Sequence, residues 1–121
     1  MKRVILQRQM ELADSSQHIN IEIDQPRWPR SDECSCDYRI MSGGQVSAVA
    51  TVSGADEVQV VMIVFDALRQ RLKELFPTAT WLGLPVDIAF PRAIPYVAGF
   101  DTYKEIETMA DKHIEDKYRI P

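Results

Sequence analysis

The sequence predicts an α+β domain in which a four-stranded antiparallel meander packs against one long helix, followed by an irregular C-terminal arm and a terminal helix. Three observations carry this expectation. "HINIEID" (18–24) alternates apolar and polar residues with period two. "SGGQ" (42–45) has the paired glycines of a tight hairpin turn. After Gly54 the apolar period changes to that of a helix and holds for about six turns.

The first strand is read in "VILQRQMEL" (4–12), with Val4, Leu6, Met10 and Leu12 on one face and Arg8 as the misfit. "ADSSQ" connects it to the second strand, where Ile19, Ile21 and Ile23 point to the core and His18, Asn20, Glu22 and Asp24 away from it. "QPRWPRSD" (25–32) reads as a Pro-punctuated loop. "CSCDYRIM" (34–41) then sets Cys34, Cys36, Tyr38 and Ile40 on one side of a third strand. Gly43 and Gly44 accept the positive φ of the turn, and "VSAVATV" (46–52) returns as the fourth strand with small residues on both faces.

Val58, Val61, Phe65, Leu68, Leu72 and Leu75 form the expected stripe of the long helix, with Asp56 as N-cap, Gln59 as its reciprocal partner and Pro77 as the stop. Val60, Met62, Ile63 and Val64 make its first half apolar nearly all round, which predicts burial on more than one side. One short strand is expected at Val86 to Phe90, and a final helix from Thr102 with Glu105 as capping partner. Residues 1–93 read as the α+β core. Residues 94–121 read as a C-terminal arm and helix, part of the same domain or an arm for oligomerisation.

Composition narrows the function classes. The chain has 121 residues, 45% hydrophobic and 26% charged, so it can bury a core without staples. The longest apolar run, Val60 to Phe65, falls far short of the about 20 residues that cross a membrane. The opening "MKRVILQRQ" lacks the apolar core of a secretion signal. A soluble, cytoplasmic protein is expected, with no membrane partner. A net charge of -4 opposes nucleic acid as a partner.

Catalytic and metal chemistry find little support. On one strand face Cys34 and Cys36 stand about 7 Å apart, too far for a disulfide without breaking the strand. A zinc site would need further ligands, and His18 and His113 lack the spacing of known zinc motifs. With Ile23 opposite Cys34 and His18 opposite Arg39, His18 would lie about 15 Å from Cys34, beyond any nucleophile–base contact. The thiols therefore read as core residues. No metal, cofactor or catalytic residue is assigned, and an enzyme ranks third among the functions.

Two binding readings remain. Trp28, Tyr38, Trp81 and Arg92 would line a concave patch for an anionic or aromatic ligand if their loops meet at one end of the sheet. The favoured reading is a non-catalytic interaction or assembly module, most simply a homodimer, because a helix apolar on several sides and the run "AIPYVAGF" ask for more cover than one sheet face supplies. Ile94, Tyr96, Val97 and Phe100, with Tyr103 and Ile106 alongside, are the expected interface. An unknown protein or small-molecule partner completes the alternatives.

The linear order of signals carries a resemblance. "MEL" on a first strand, "PR" after the second, "ECSCDYRI", "SGADEVQ" opening the long helix and "WLGLPVDIAFPR" beyond it together resemble a family of small uncharacterised bacterial α+β proteins, across about residues 4 to 93. Ser35-Cys36-Asp37 departs from the apolar or aromatic filler usual there, and the tail from Pro95 lies outside the resemblance. That family implies the α+β fold and no assigned activity. The chain's size also resembles proteins carried on mobile gene cassettes.

Overall fold

Residues 3–12, 16–90 and 99–118 are described by a computed structural model of the chain. They form the expected α+β arrangement, an antiparallel sheet against one long helix with a C-terminal helix beyond it. Strands β1 (Val4–Glu11), β2 (His18–Asp24), β4 (Glu33–Ser42) and β5 (Gln45–Gly54) make the four-stranded meander. Its core face carries Met10, then Ile19, Ile21 and Ile23, then Cys34, Cys36, Tyr38 and Ile40, then Ala48, all buried. Period-two alternation places these residues together, because each strand sends every second side chain to the same face.

The Pro-punctuated stretch read as a loop contains a short strand, β3 (Arg27–Arg30). Arg27 pairs with Ser35 and Arg30 with Glu33. Since β5 occupies one whole edge of β4, β3 and β2 must share the other. β3 takes the first part, so β2 pairs only with the later part, from Tyr38 to Ser42. Ile23 consequently faces Tyr38 rather than Cys34. The slip from the expected register is four residues. Being even, it leaves every side chain on its expected face, and it carries His18 further from Cys34 than the sequence suggested.

The β4–β5 hairpin turns at Gly43 (φ 58°) and Gly44 (φ 80°), the backbone of a tight primed turn. A bulge between Ile40 and Met41 then adjusts the register. At the far end of β5, a Cβ on Gly54 would come within 3.2 Å of the Val60 backbone nitrogen, a tight contact that a larger residue could relieve only by shifting the helix start by a few tenths of an ångström.

Helix α1 spans Glu57–Leu75. Asp56 caps it, its Oδ1 accepting from the Gln59 backbone N–H at 2.8 Å, while Gln59 Oε1 accepts from Ala55 N–H at 2.6 Å. At the other end Phe76 N–H donates to Leu72 O before Pro77 stops the helix. The face it buries is Val60, Val64, Leu68 and Leu72, rotated from the expected stripe. Val58 is 71% exposed, and Leu75, Met62 and Ile63 are exposed as well. Burial on more than one side is therefore not what the described residues show. α1 lies on β4 and β5 and touches the short helix α2 (Val86–Ala89), and among the described residues no other element covers its outer side.

The strand expected at Val86 to Phe90 is that helical turn. Val86, Ala89 and Phe90 are buried at helical spacing, while Asp87 and Ile88 face out. Asp87 pairs with Arg69 at 2.8 Å and Lys73 at 3.1 Å, fastening the turn to α1. Just before it, the two-residue strands β6 (Thr80–Trp81) and β7 (Leu84–Pro85) form a hairpin at the free edge of β1. The terminal helix α3 (Phe100–Tyr118) begins two residues before the expected Thr102, with Gly99 (φ 96°) ahead of it and Tyr103 N–H donating to Gly99 O.

The rotated stripe makes a prediction that separates it from the expected one. Leu68→Ala should cost about 2–5 kcal/mol in denaturant unfolding, Phe65→Ala less because Phe65 is only half-buried, and Val58→Ala within about 0.5 kcal/mol of zero. A larger loss at Val58 than at Leu68 would mean that the helix turns a different face to the sheet.

Candidate functional site

The sheet's core face is not covered evenly. Where α1 and α2 part over β1 and β2, they leave a cleft of about 290 Å³. Leu6 and Arg8 of β1, Ile21 and Ile23 of β2, Phe65 of α1 and Phe90 line it. Phe65 and Phe90 meet in a tilted pair with centroids 6.2 Å apart.

Arg8 is the one charged side chain in this wall. Alternation from Met10 and Leu6 places it on the core face of β1, where an apolar residue would be expected. Its guanidinium carbon stands 3.9 Å from the centroid of the Trp81 ring and 5.4 Å from that of Phe90, and Nη1 donates to the Ala89 carbonyl. Stacking on two rings is worth about 0.5–2 kcal/mol and leaves the in-plane N–H edge of the guanidinium free to donate. No carboxylate among the described residues pairs with it.

The opposite face of the sheet is polar and internally matched. Arg39 forks onto Asp24 at 2.8 and 2.7 Å and reaches Glu22 at 3.3 Å. Arg27 pairs with Asp37 at 2.9 Å, and Thr51 donates to the same carboxylate at 2.6 Å. Asp24 and Asp37 are almost wholly buried. Arginines already committed to acids have less to offer a ligand, so this cluster reads as structure. The thiols behave likewise. Cys34 and Cys36 are fully buried and free, and Cys36 donates its S–H to the Asp24 carbonyl at 3.2 Å. Burial, and then the Asp37 and Asp24 carboxylates, push the Cys36 thiol up to about 11; Cys34 is also raised by burial. Among the described residues no group of three or more His, Cys, Asp or Glu is placed to hold a metal ion.

The aromatic residues proposed from sequence as one patch occupy three surroundings. Trp28 is exposed on β3, its Nε1 donating to Glu57 at the start of α1. Tyr38 is buried on the core face of β4, its hydroxyl raised by burial. Trp81 stacks on Arg8 at the edge of β1. Arg92 lies outside the described residues, as do Ile94, Tyr96 and Val97. Sequence reasoning marked Arg8 only as a misfit in an apolar face, and that misfit was the available signal for the cleft.

Phe100 and Ile106 are exposed and Tyr103 partly so, along a helix with no buried residue. Apolar surface is also open on α1 at Val58, Met62 and Ile63, and at Leu82 of the β6–β7 turn, which holds φ 53°. No helix among the described residues is long and apolar enough to cross a membrane. Comparison with protein-family models, with curated proteins and with solved structures found no match.

The raised thiol gives a pH prediction. Cys36 holds its proton up to about 11 when folded and loses it near the ordinary 9.0 when unfolded, so stability should fall as pH rises through that window. The decline should be shallower in Cys36→Ala. Below that window the native thiols should label slowly and both should react on unfolding. Equal alkaline slopes for the two proteins would show that Cys36 is not shielded.

Proposed function

We propose that the protein is a non-catalytic self-assembly module, in its simplest form a homodimer, with α3 supplying the joint. One observation carries the reading. α3 is a helix of 19 residues that buries nothing and touches no other element among the described residues. Isolated helices in water are marginal even at favourable composition, because most helix stability in proteins comes from packing an amphipathic face. α3 has such a face. Phe100, Tyr103, Ile106, Ala110, Ile114 and Tyr118 follow one another at spacings of three and four, with acids and lysines on the remaining circumference.

A second copy of the chain offers a matching stripe, and closed twofold pairing is the commonest way that identical surfaces cover one another. The exposed Val58, Met62 and Ile63 of α1 add apolar area available to the same interface. Two buried free thiols support a reducing, cytoplasmic setting. The resemblance to a family of small bacterial α+β proteins rests on the order of motifs along the chain alone. A second reading, a small-ligand binder, is favoured by Arg8 and Trp81 in the cleft.

Light scattering on the full chain at micromolar to high-micromolar concentration tests the assembly. The expected mass is twice 13.8 kDa, and Ile106→Glu with Ile114→Glu should return it to one chain while lowering the helical circular dichroism. A monomer throughout, or a dimer indifferent to the two substitutions, would remove α3 from the joint.

A further inference from the structure

We propose that the cleft between β1, β2, α1 and Phe90 binds a small carboxylate with an apolar body, the carboxylate on Arg8 and the body against Leu6, Ile21, Ile23 and Phe65. This names the ligand class for the binder reading and does not depend on the assembly reading. Its volume of about 290 Å³ sits at the lower end of ligand pockets, about 300–1,000 Å³, which suits a ligand of modest size. The lining is apolar except for a few polar atoms, the usual composition of a site that takes its affinity from burial and its orientation from one or two polar groups.

Arg8 decides the ligand's charge. A guanidinium has five N–H donors, and among the described residues only Nη1 meets an acceptor, the Ala89 carbonyl. The Trp81 ring holds the guanidinium carbon 3.9 Å from its centroid, so part of the cost of ordering the side chain is met before a ligand arrives. The planar fork matches a carboxylate through two parallel N–H···O bonds, which are stronger than neutral ones and fix direction. A cation beside apolar walls, with no acid partner among the described residues, is complementary to an anion attached to an apolar body. A purely apolar ligand would leave those donors without acceptors, and a cation would be repelled.

The test uses octanoate, its neutral counterpart octanol, and the full-length protein, followed by calorimetry and by methyl and amide NMR shifts. Octanoate should bind saturably at one site per chain, with the shifts centred on Leu6, Ile21 and Ile23. Arg8→Met, which keeps an unbranched apolar side chain but removes the guanidinium, should weaken octanoate by about tenfold or more and leave octanol unchanged. Leu6→Trp, at an exposed position of the cleft wall, should abolish octanoate binding and, unlike Arg8→Met, leaves the Arg8 stack untouched. Equal affinities for octanoate and octanol, no saturation by about 1 mM, or shifts centred on α3 or the outer side of α1 would each overturn the proposal. So would contacts from the chain's own residues 91–98 filling the cleft. Loss of octanoate binding in Arg8→Met with a changed scattering mass would place the fault in assembly, and an unchanged mass in the cleft.

Discussion

A helix is about 10 Å across and strands lie about 4.8 Å apart, so one helix covers about two strands of a sheet. α1 covers β4 and β5. β1 and β2 belong to the same apolar face but are left to other cover. That mismatch between one helix and a four-stranded core face organises the rest of the molecule. α2, Phe90 and the β6–β7 hairpin close in from the β1 edge, fastened by the Asp87 pairs to α1, and where the two covers fail to meet the cleft remains.

The same mismatch accounts for the placing of charge. Among the described residues no element is layered over the sheet's outer face, where Arg39 pairs with Asp24 and Glu22, and Arg27 with Asp37, from within the sheet. Among the described residues the core face of the sheet carries a charge at the cleft alone, where Arg8 meets two aromatic rings and a carbonyl. Isolated charges are costly to bury, and Arg8 stays partly exposed there. Among the described residues α3 likewise has no buried residue.

Much of the fold was legible because strand periodicity survives small errors. The β2–β4 register was misjudged by four residues, yet Ile19, Ile21, Ile23 and their partners kept their faces, since only odd slips turn a strand over. The caps at Asp56 and the turn at Gly43–Gly44 were local signals that tertiary structure left in place. Helix rotation was less legible. Val60 and Val64 were seen as extra apolar residues, and the buried line Val60–Val64–Leu68–Leu72 could not be told from Val58–Val61–Phe65–Leu68 in a segment apolar nearly all round. β3 was hidden because Pro29 lies in a strand bordering only part of β4, where a missing N–H is tolerated. The cleft was hidden because it depends on Trp81, Phe90 and Arg8, which are distant in sequence and meet through a helical turn that alternation had suggested to be a strand.

The claim that α1 turns the Val60–Leu72 line onto β4 and β5 is tested most directly by methyl nuclear Overhauser contacts in the native protein. Val60, Val64, Leu68 and Leu72 should show contacts to side chains of β4 and β5, including Ile40 and Ala48, while Val58 and Met62 show none to any strand. Contacts from Val58 or Met62 to the strands, with the Val60 line silent, would contradict it and remove the basis for the cleft.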